Sequence, residues 1–440
     1  MYTFSSKLKV FSIILMVAGL IGIAYGFLTI PSAEQVEKIV AEEHSHATTA
    51  HNEHTAVADT HKHTDATAQA EHKEHIEHVS HQVHNRPWAA FYVAALFFFL
   101  ISLGVLAFYA IQNAAQAGWS PVLFRVMEGI TGYLLPGSII VFLLLVAGVF
   151  HHHHLFVWMD KEVVETDKLI QGKLGWMNPT RFLIFAAIYI VLWNGYRYFS
   201  RKFSLAQDAA SDNSNFKKIF KFSAGFLVIF IVTESMMAWD WVMSVDPHWY
   251  STLFGWYVFA SFFVSGITTI TMVTFYLKSK GYLEYVNKSH IHDLAKFMFG
   301  ISVFWTYLWF SQFMLMWYSN IPEEVTYFVT RINEFRWLFW GMVILNFLLP
   351  LLILVSADMK RIQNVVIIAG MIILMGHYVD FYVMIMPATV GSQWQIGIPE
   401  IGSVLFFLGL FIFIVFTTLT KAPLLAKGNP YIEESKHFHY

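Results

Sequence analysis

The sequence predicts an all-α integral membrane protein of about ten transmembrane helices with both termini on the inner side. Three observations carry that expectation. Of the 440 residues, 56% are hydrophobic and only 13% charged, about half the charged share of a soluble domain. The apolar residues gather into runs of the roughly 20 residues that a helix needs to cross a ~30 Å hydrocarbon core. The basic residues between the runs fall mainly on alternate sides.

Ten runs follow one another, at 10–30, 88–111, 123–150, 181–198, 222–243, 253–277, 297–318, 335–355, 365–386 and 402–420. The first is longer than the apolar stretch of an ordinary signal peptide and is read as an uncleaved anchor. With the N-terminus inside, the inner loops hold 18 of the 28 Lys and Arg residues, from Lys7 and Lys9 through the 197–221 cluster to Lys436. That asymmetry sets the orientation as N-in, C-in. The chain divides into an anchor (1–30), a His-rich outer loop (31–87), two groups of four spans (88–252 and 253–390), and a last span with an inner tail (391–440).

Composition also excludes functions. A net charge of −2 gives no global field that would attract nucleic acid. With no cysteine, the chain has no disulfide, no thiolate nucleophile, no cysteine-ligated iron–sulfur cluster and no covalent c-type haem.

The 31–87 loop holds 11 of the 21 histidines among Glu, Ala and Thr. Such a composition buries too little apolar surface to offset its conformational entropy, so disorder is expected there. It serves either as a solvated linker or as a metal-binding or pH-responsive tether.

Ionisable groups at membrane depth are costly and mark sites. In the fifth span, Glu234 lies ~20 Å along the helix from Lys221, and Asp240 lies ~9 Å further. Six residues apart, they do not share a helix face, but other helices could bridge them as successive proton stations. In the ninth span His377 and Asp380 are three apart, on neighbouring faces of one helix. They suit proton exchange, contact with a quinone oxygen, or a structural link. Arg125 and Glu128 read as a local salt bridge, Glu334 and Arg336 as headgroup residues, and Asn194 and Asn346 as links between helices. The run 151–154 of four histidines reads as surface. His377 alone lies deep enough to ligate an intramembrane haem, so none is expected, and no metal site is assigned.

A short repeat joins two of these spans. Asp240 is followed by Trp241, Val242, Met243 and, seven residues on, Pro247; Asp380 is followed by Phe381, Tyr382, Val383, Met384 and, seven residues on, Pro387. Spans two to five and six to nine then form two parallel four-helix bundles.

Three stretches resemble one family. They are the segment from Asp240-Trp241-Val242-Met243 through Pro247-His248-Trp249 to Gly255, the segment from Ser311-Gln312-Phe313 to Pro322-Glu323-Glu324, and Gly376-His377-Tyr378-Val379-Asp380 running to Pro387. Together they resemble the membrane subunits of alternative complex III, a quinol:cytochrome c oxidoreductase distantly related to the NrfD-type polysulfide-reductase subunit. The resemblance covers roughly residues 88–420. It implies two four-helix bundles with two flanking helices, and a bacterial inner-membrane respiratory complex that passes electrons to cytochrome c or directly to a terminal oxidase. It also implies partners bearing haem c and iron–sulfur clusters, a related membrane subunit, and quinone, menaquinone included, in the surroundings. The N-terminal anchor and His-rich loop make this chain resemble the second of the two membrane subunits, acting as scaffold and proton half-path or as a quinone-site subunit. Asp240, His377 and Asp380 carry over as motif positions; Glu234 is added on depth alone. Two alternatives stay open: a stand-alone proton-coupled transporter using Glu234 or Asp380, and a metal-handling protein built on the His-rich loop.

Overall fold

The computed structural model describes residues 1–32, 34–38, 40 and 65–439. Among the described residues, ten helices are long and apolar enough to cross a membrane, in line with the hydropathy pattern. They are α1 (Ser6–Leu28), α2 (Asp65–Ala114), α3 (Pro121–Val149), α4 (Pro179–Gln207), α5 (Ser214–Val245), α6 (Phe254–Ser279), α7 (Lys288–Ser319), α8 (Arg336–Leu354), α9 (Gln363–Thr389) and α10 (Ile398–Leu419). Among the described residues there is no strand. Helices satisfy their own backbone, which lipid cannot do for them.

Helices α2 and α6 form the centre, with 94% and 89% of their most apolar stretches buried. They meet where two glycines let the backbones touch. A Cβ on Gly104 would stand 2.5 Å from the Phe262 carbonyl oxygen, and one on Gly266 2.8 Å from the Val105 nitrogen. Around this seam, α2 contacts α3 and α5, and α4 packs between α3 and α5. On the other side α6 contacts α7 and α9, and α8 packs against both α7 and α9. Helix α1 runs along α10, where Gly22 and Gly402 approach backbone to backbone, and its other side is open.

Both termini lie at one end of the helices. Tyr2 packs edge-on against Tyr282, Asn287 Nδ2 donates to the Phe438 carbonyl, and the Gly428 amide donates to Asp208. We call this the terminal end and the opposite one the loop end. At the loop end Arg86 forms a two-pronged pair with Glu400 (2.8 and 3.1 Å), and Asn85 exchanges hydrogen bonds with the His154 backbone.

Two expectations change here. Within 31–87, residues 41–64 lie outside the described residues, but 65–87 are not a disordered loop. They continue α2 as one 50-residue helix with Pro87 inside it, and Val36 and Val40 pack on Val79 and Val83. This small apolar cluster, together with the Asn85 and Arg86 anchors, supplies the burial that composition alone underestimates. The histidine run is also not all surface. His153 is buried, its Nε2 3.0 Å from the Leu144 carbonyl, and His154 Nδ1 sits 2.9 Å from Asp160.

Candidate functional site

Helix ends and helix irregularities position the polar groups. Asn178 caps α4 by accepting the Arg181 amide (2.8 Å), with Pro179 preset for the first turn. Arg181 thus stands at the loop end of α4. A π turn over Ala238–Val242 places Asp240 near the end of α5; such turns gather at functional sites. The Asp240 carboxylate accepts Arg181 Nη1 (2.8 Å), Trp176 Nε1 (3.0 Å) and the Tyr189 hydroxyl (3.0 Å). The Arg181 guanidinium is sandwiched between the rings of Trp176 (3.6 Å) and Phe185 (4.5 Å). Asp240 is therefore a buried carboxylate with a fixed cation.

Asp380 lies on a regular stretch of α9, as buried as Asp240. Its partners are different in kind. Tyr257 and Ser261, one turn apart on α6, both donate to it, the serine at 2.8 Å, and Trp305 Nε1 of α7 donates at 2.8 Å. His377 Nδ1 lies 3.6 Å from the same carboxylate and 2.9 Å from Ser261 Oγ, and its ring stands edge-on to Trp305 at 5.4 Å. Both His377 and Asp380 are fully enclosed (0% side-chain exposure). His377 Nε2 has no hydrogen-bond partner among the described residues. Next to it, Asn346 is buried with both amide atoms unpartnered and its oxygen 2.1 Å from where a Cβ on Gly376 would stand. Pro350 explains the position of Asn346: it cannot donate back to the Asn346 carbonyl, and the helix relaxes into a π turn over Ile344–Leu348.

One buried cation lies near this cluster without joining it. Arg331, on the short helix Pro322–Asn333, donates to the carbonyls of Val383 and Met384 (both 3.1 Å) and lies 3.3 Å over the Tyr327 ring. Pro387 lacks the amide that would serve Val383. Arg331 thus closes a gap in the α9 backbone. A water-sized cavity is lined by Tyr257, which donates to Asp380, and by Gln312, Tyr327 and Arg331.

The structure brings His377 and Asp380 together and keeps Glu234 apart from Asp240. Glu234 is buried, accepts only its own neighbour Ser235 (2.7 Å), and its Oε2 has no partner among the described residues. Arg125 and Glu128 do pair (2.6 Å), but as a buried network that includes Ser204, Asp208 and Tyr109. Sequence reasoning missed Arg181, Tyr189, Tyr257, Ser261, Trp305 and Arg331. One signal was present: Tyr92-Val93 with Ala95, shortly after Pro87 in α2, repeats as Tyr257-Val258 with Ala260 near the start of α6, and Tyr92 donates to the Trp241 carbonyl (2.8 Å) beside Asp240.

At the loop end, Asp160 beside His154 raises that imidazole above its ordinary range, whereas burial lowers His153. No group of three or more His, Cys, Asp or Glu suited to a metal ion occurs among the described residues.

No known family profile matches the chain, and no curated protein is significantly similar to it.

Proposed function

We propose that the chain is a membrane subunit of a quinol-oxidising respiratory complex in the bacterial inner membrane, where it serves as scaffold and as a proton half-path through Asp380. The observation that carries this reading is the enclosed Asp380 site. A carboxyl group at membrane depth is held by three neutral donors and a histidine, with no Lys or Arg in hydrogen-bond contact among the described residues. Unlike Asp240 it has no salt bridge that proton transfer would have to break, and its neighbours Tyr257, Ser261 and His377 are groups able to pass a proton. The three motif stretches and the missing cysteines support the same reading. Haem c and iron–sulfur clusters then belong to partner subunits.

The finer architecture follows from the reading. Helices α2–α5 and α6–α9 are two four-helix bundles related by the repeat around Asp240 and Asp380, flanked by α1 and α10. The terminal end, with most of the Lys and Arg residues, is cytoplasmic.

The residues fit a quinone poorly at His377. The imidazole and carboxyl are fully enclosed, and the cavity reaching Tyr257 is of water size, too small for a quinone ring. We therefore assign His377 to orienting Asp380 through Ser261, with Asp380 holding the proton.

Purification of the full chain in mild detergent tests the assignment. Haem-bearing and cysteine-rich subunits are expected to accompany it, with a c-type haem spectrum. A chain that comes down alone and colourless, and then carries a proton-driven substrate into liposomes, overturns it in favour of the transporter reading.

A further inference from the structure

On the membrane-facing side of α4 and α5, two missing side chains open a slot. A Cβ added to Gly195 or to Gly225 would meet nothing within 4 Å. The stacked rings of Tyr196 and Phe226 (centroids 4.0 Å apart, planes 9° apart) lie along it, and Leu192, Phe199, Phe222 and Ile229 line it further. The Tyr196 hydroxyl is taken up by Ser223 (2.7 Å), which leaves the lining apolar. From Val191 to Phe199 the slot follows the helix for ~12 Å.

The terminal end of the slot is different. Lys221 belongs to its lining, and the next residue, Phe222, packs on Phe203 (5.6 Å), over whose ring Lys218 Nζ is held at 5.6 Å. Both lysines are exposed, and neither forms an ion pair among the described residues. Apolar depth capped by two unneutralised cations at one membrane surface is the complement of a lipid with an anionic head. A slot opened by two absent side chains suits an acyl chain, whereas a partner helix is ~10 Å across.

We propose that this slot binds one anionic phospholipid, an acyl chain lying past Gly195 and Gly225 and the phosphate resting on Lys218 and Lys221. The lipid seals α4 to α5, and it is independent of the respiratory reading.

Native mass spectrometry of the full chain with its co-purifying subunits tests this, with phosphatidylglycerol and phosphatidylcholine as competing probes. One phosphatidylglycerol is expected to stay bound in preference. Lys218→Gln and Lys221→Gln should each lower its retention roughly fivefold, the effect of one basic residue at a lipid surface, and leave phosphatidylcholine unchanged. Lys7→Gln with Lys9→Gln at the same end should alter neither lipid. Gly225→Leu, or Gly195→Leu as a second variant, fills open space and replaces a poor helix former. It should expel the lipid while thermal stability holds or rises. Equal retention of both lipids, indifference to the lysines, or retention after Gly225→Leu overturns the proposal. So does a photoreactive residue at position 229 that labels a polypeptide instead of lipid.

Discussion

Asp240 and Asp380 stand at matching positions, each seven residues before a proline, and are equally buried, but their surroundings differ. Tyr92 and Tyr257 correspond, one donating to a carbonyl beside Asp240 and the other to Asp380 itself. Three residues before each aspartate stands Met237 in one half and His377 in the other. Four residues after each tyrosine stands Leu96 in one half and Ser261 in the other. The half that lacks His and Ser has recruited Arg181 across 2.8 Å. Asp240 is salt-bridged to Arg181 and ties together α4, α5 and the turn that precedes α4. Asp380 accepts from the neutral side chains of Tyr257, Ser261 and Trp305, with His377 3.6 Å away. Two carboxylates at matching sequence positions and of equal burial thus have partners of different kinds.

The comparison breaks first on stability. Asp240→Ala leaves the Arg181 guanidinium without its carboxylate, and loss of one partner from a buried pair costs about 3–5 kcal/mol. Thermal unfolding in detergent should show that loss. Arg181→Met combined with Asp240→Leu should recover most of it, and a single variant as stable as the parent would mean the pair does not hold the segments. Activity sharpens the contrast next. Asp380→Asn keeps the size and most of the hydrogen bonds, so stability should shift by only about 1 kcal/mol. Quinol-dependent proton release by the intact complex should nevertheless fall roughly 100-fold, the usual scale for removing a positioned proton-transfer group. If Asp240→Asn has that effect and Asp380→Asn does not, the two roles are reversed.

The smallest expected effect lies at the loop end, where a third carboxylate faces histidines. Asp160 contacts His154 (2.9 Å) and His151 (3.3 Å), and His81 stands edge-on to His154 at 4.6 Å. His154 is raised above its ordinary value by Asp160. Its contribution is therefore complete below the pKa of an unfolded histidine and is lost as pH rises through the higher folded value. With the imidazole 28% exposed, that contribution is under about 1 kcal/mol. Hydrogen exchange around residues 151–160 should quicken across that window, and His154→Gln should flatten the change.

The ten spans were legible because length and hydropathy are local properties that no tertiary contact overrides. Asp240, His377 and Asp380 were legible for a related reason: a charge within an apolar run stands out from its neighbours. Their partners did not. Arg181 reads as a residue at a span edge, and Tyr257, Ser261 and Trp305 are ordinary occupants of an apolar helix until packing aims them at one carboxylate. Arg331 became intelligible only with Pro387 beside it, since its task is to serve a carbonyl that the proline leaves idle. The π turn that sets Asp240 follows from no residue pattern read along the chain, although Pro350 in hindsight marks the second one. The helix at 65–87 was missed because its support comes from Val36, Val40, His154 and Glu400, all distant in sequence.

Helix α2 also works as a measuring rod. Its 50 residues extend about 75 Å, against a hydrocarbon core of ~30 Å. The part before Pro87 therefore adds a mast of roughly 30 Å to a helix whose later part alone is long enough to cross that core. Stays at Asn85 and Arg86 fix its foot. Anything fastened to the masthead is held at a set height, and a sideways pull there is delivered as torque to the most enclosed helix of the molecule, with Pro87 as the missing rung where that torque would first be felt.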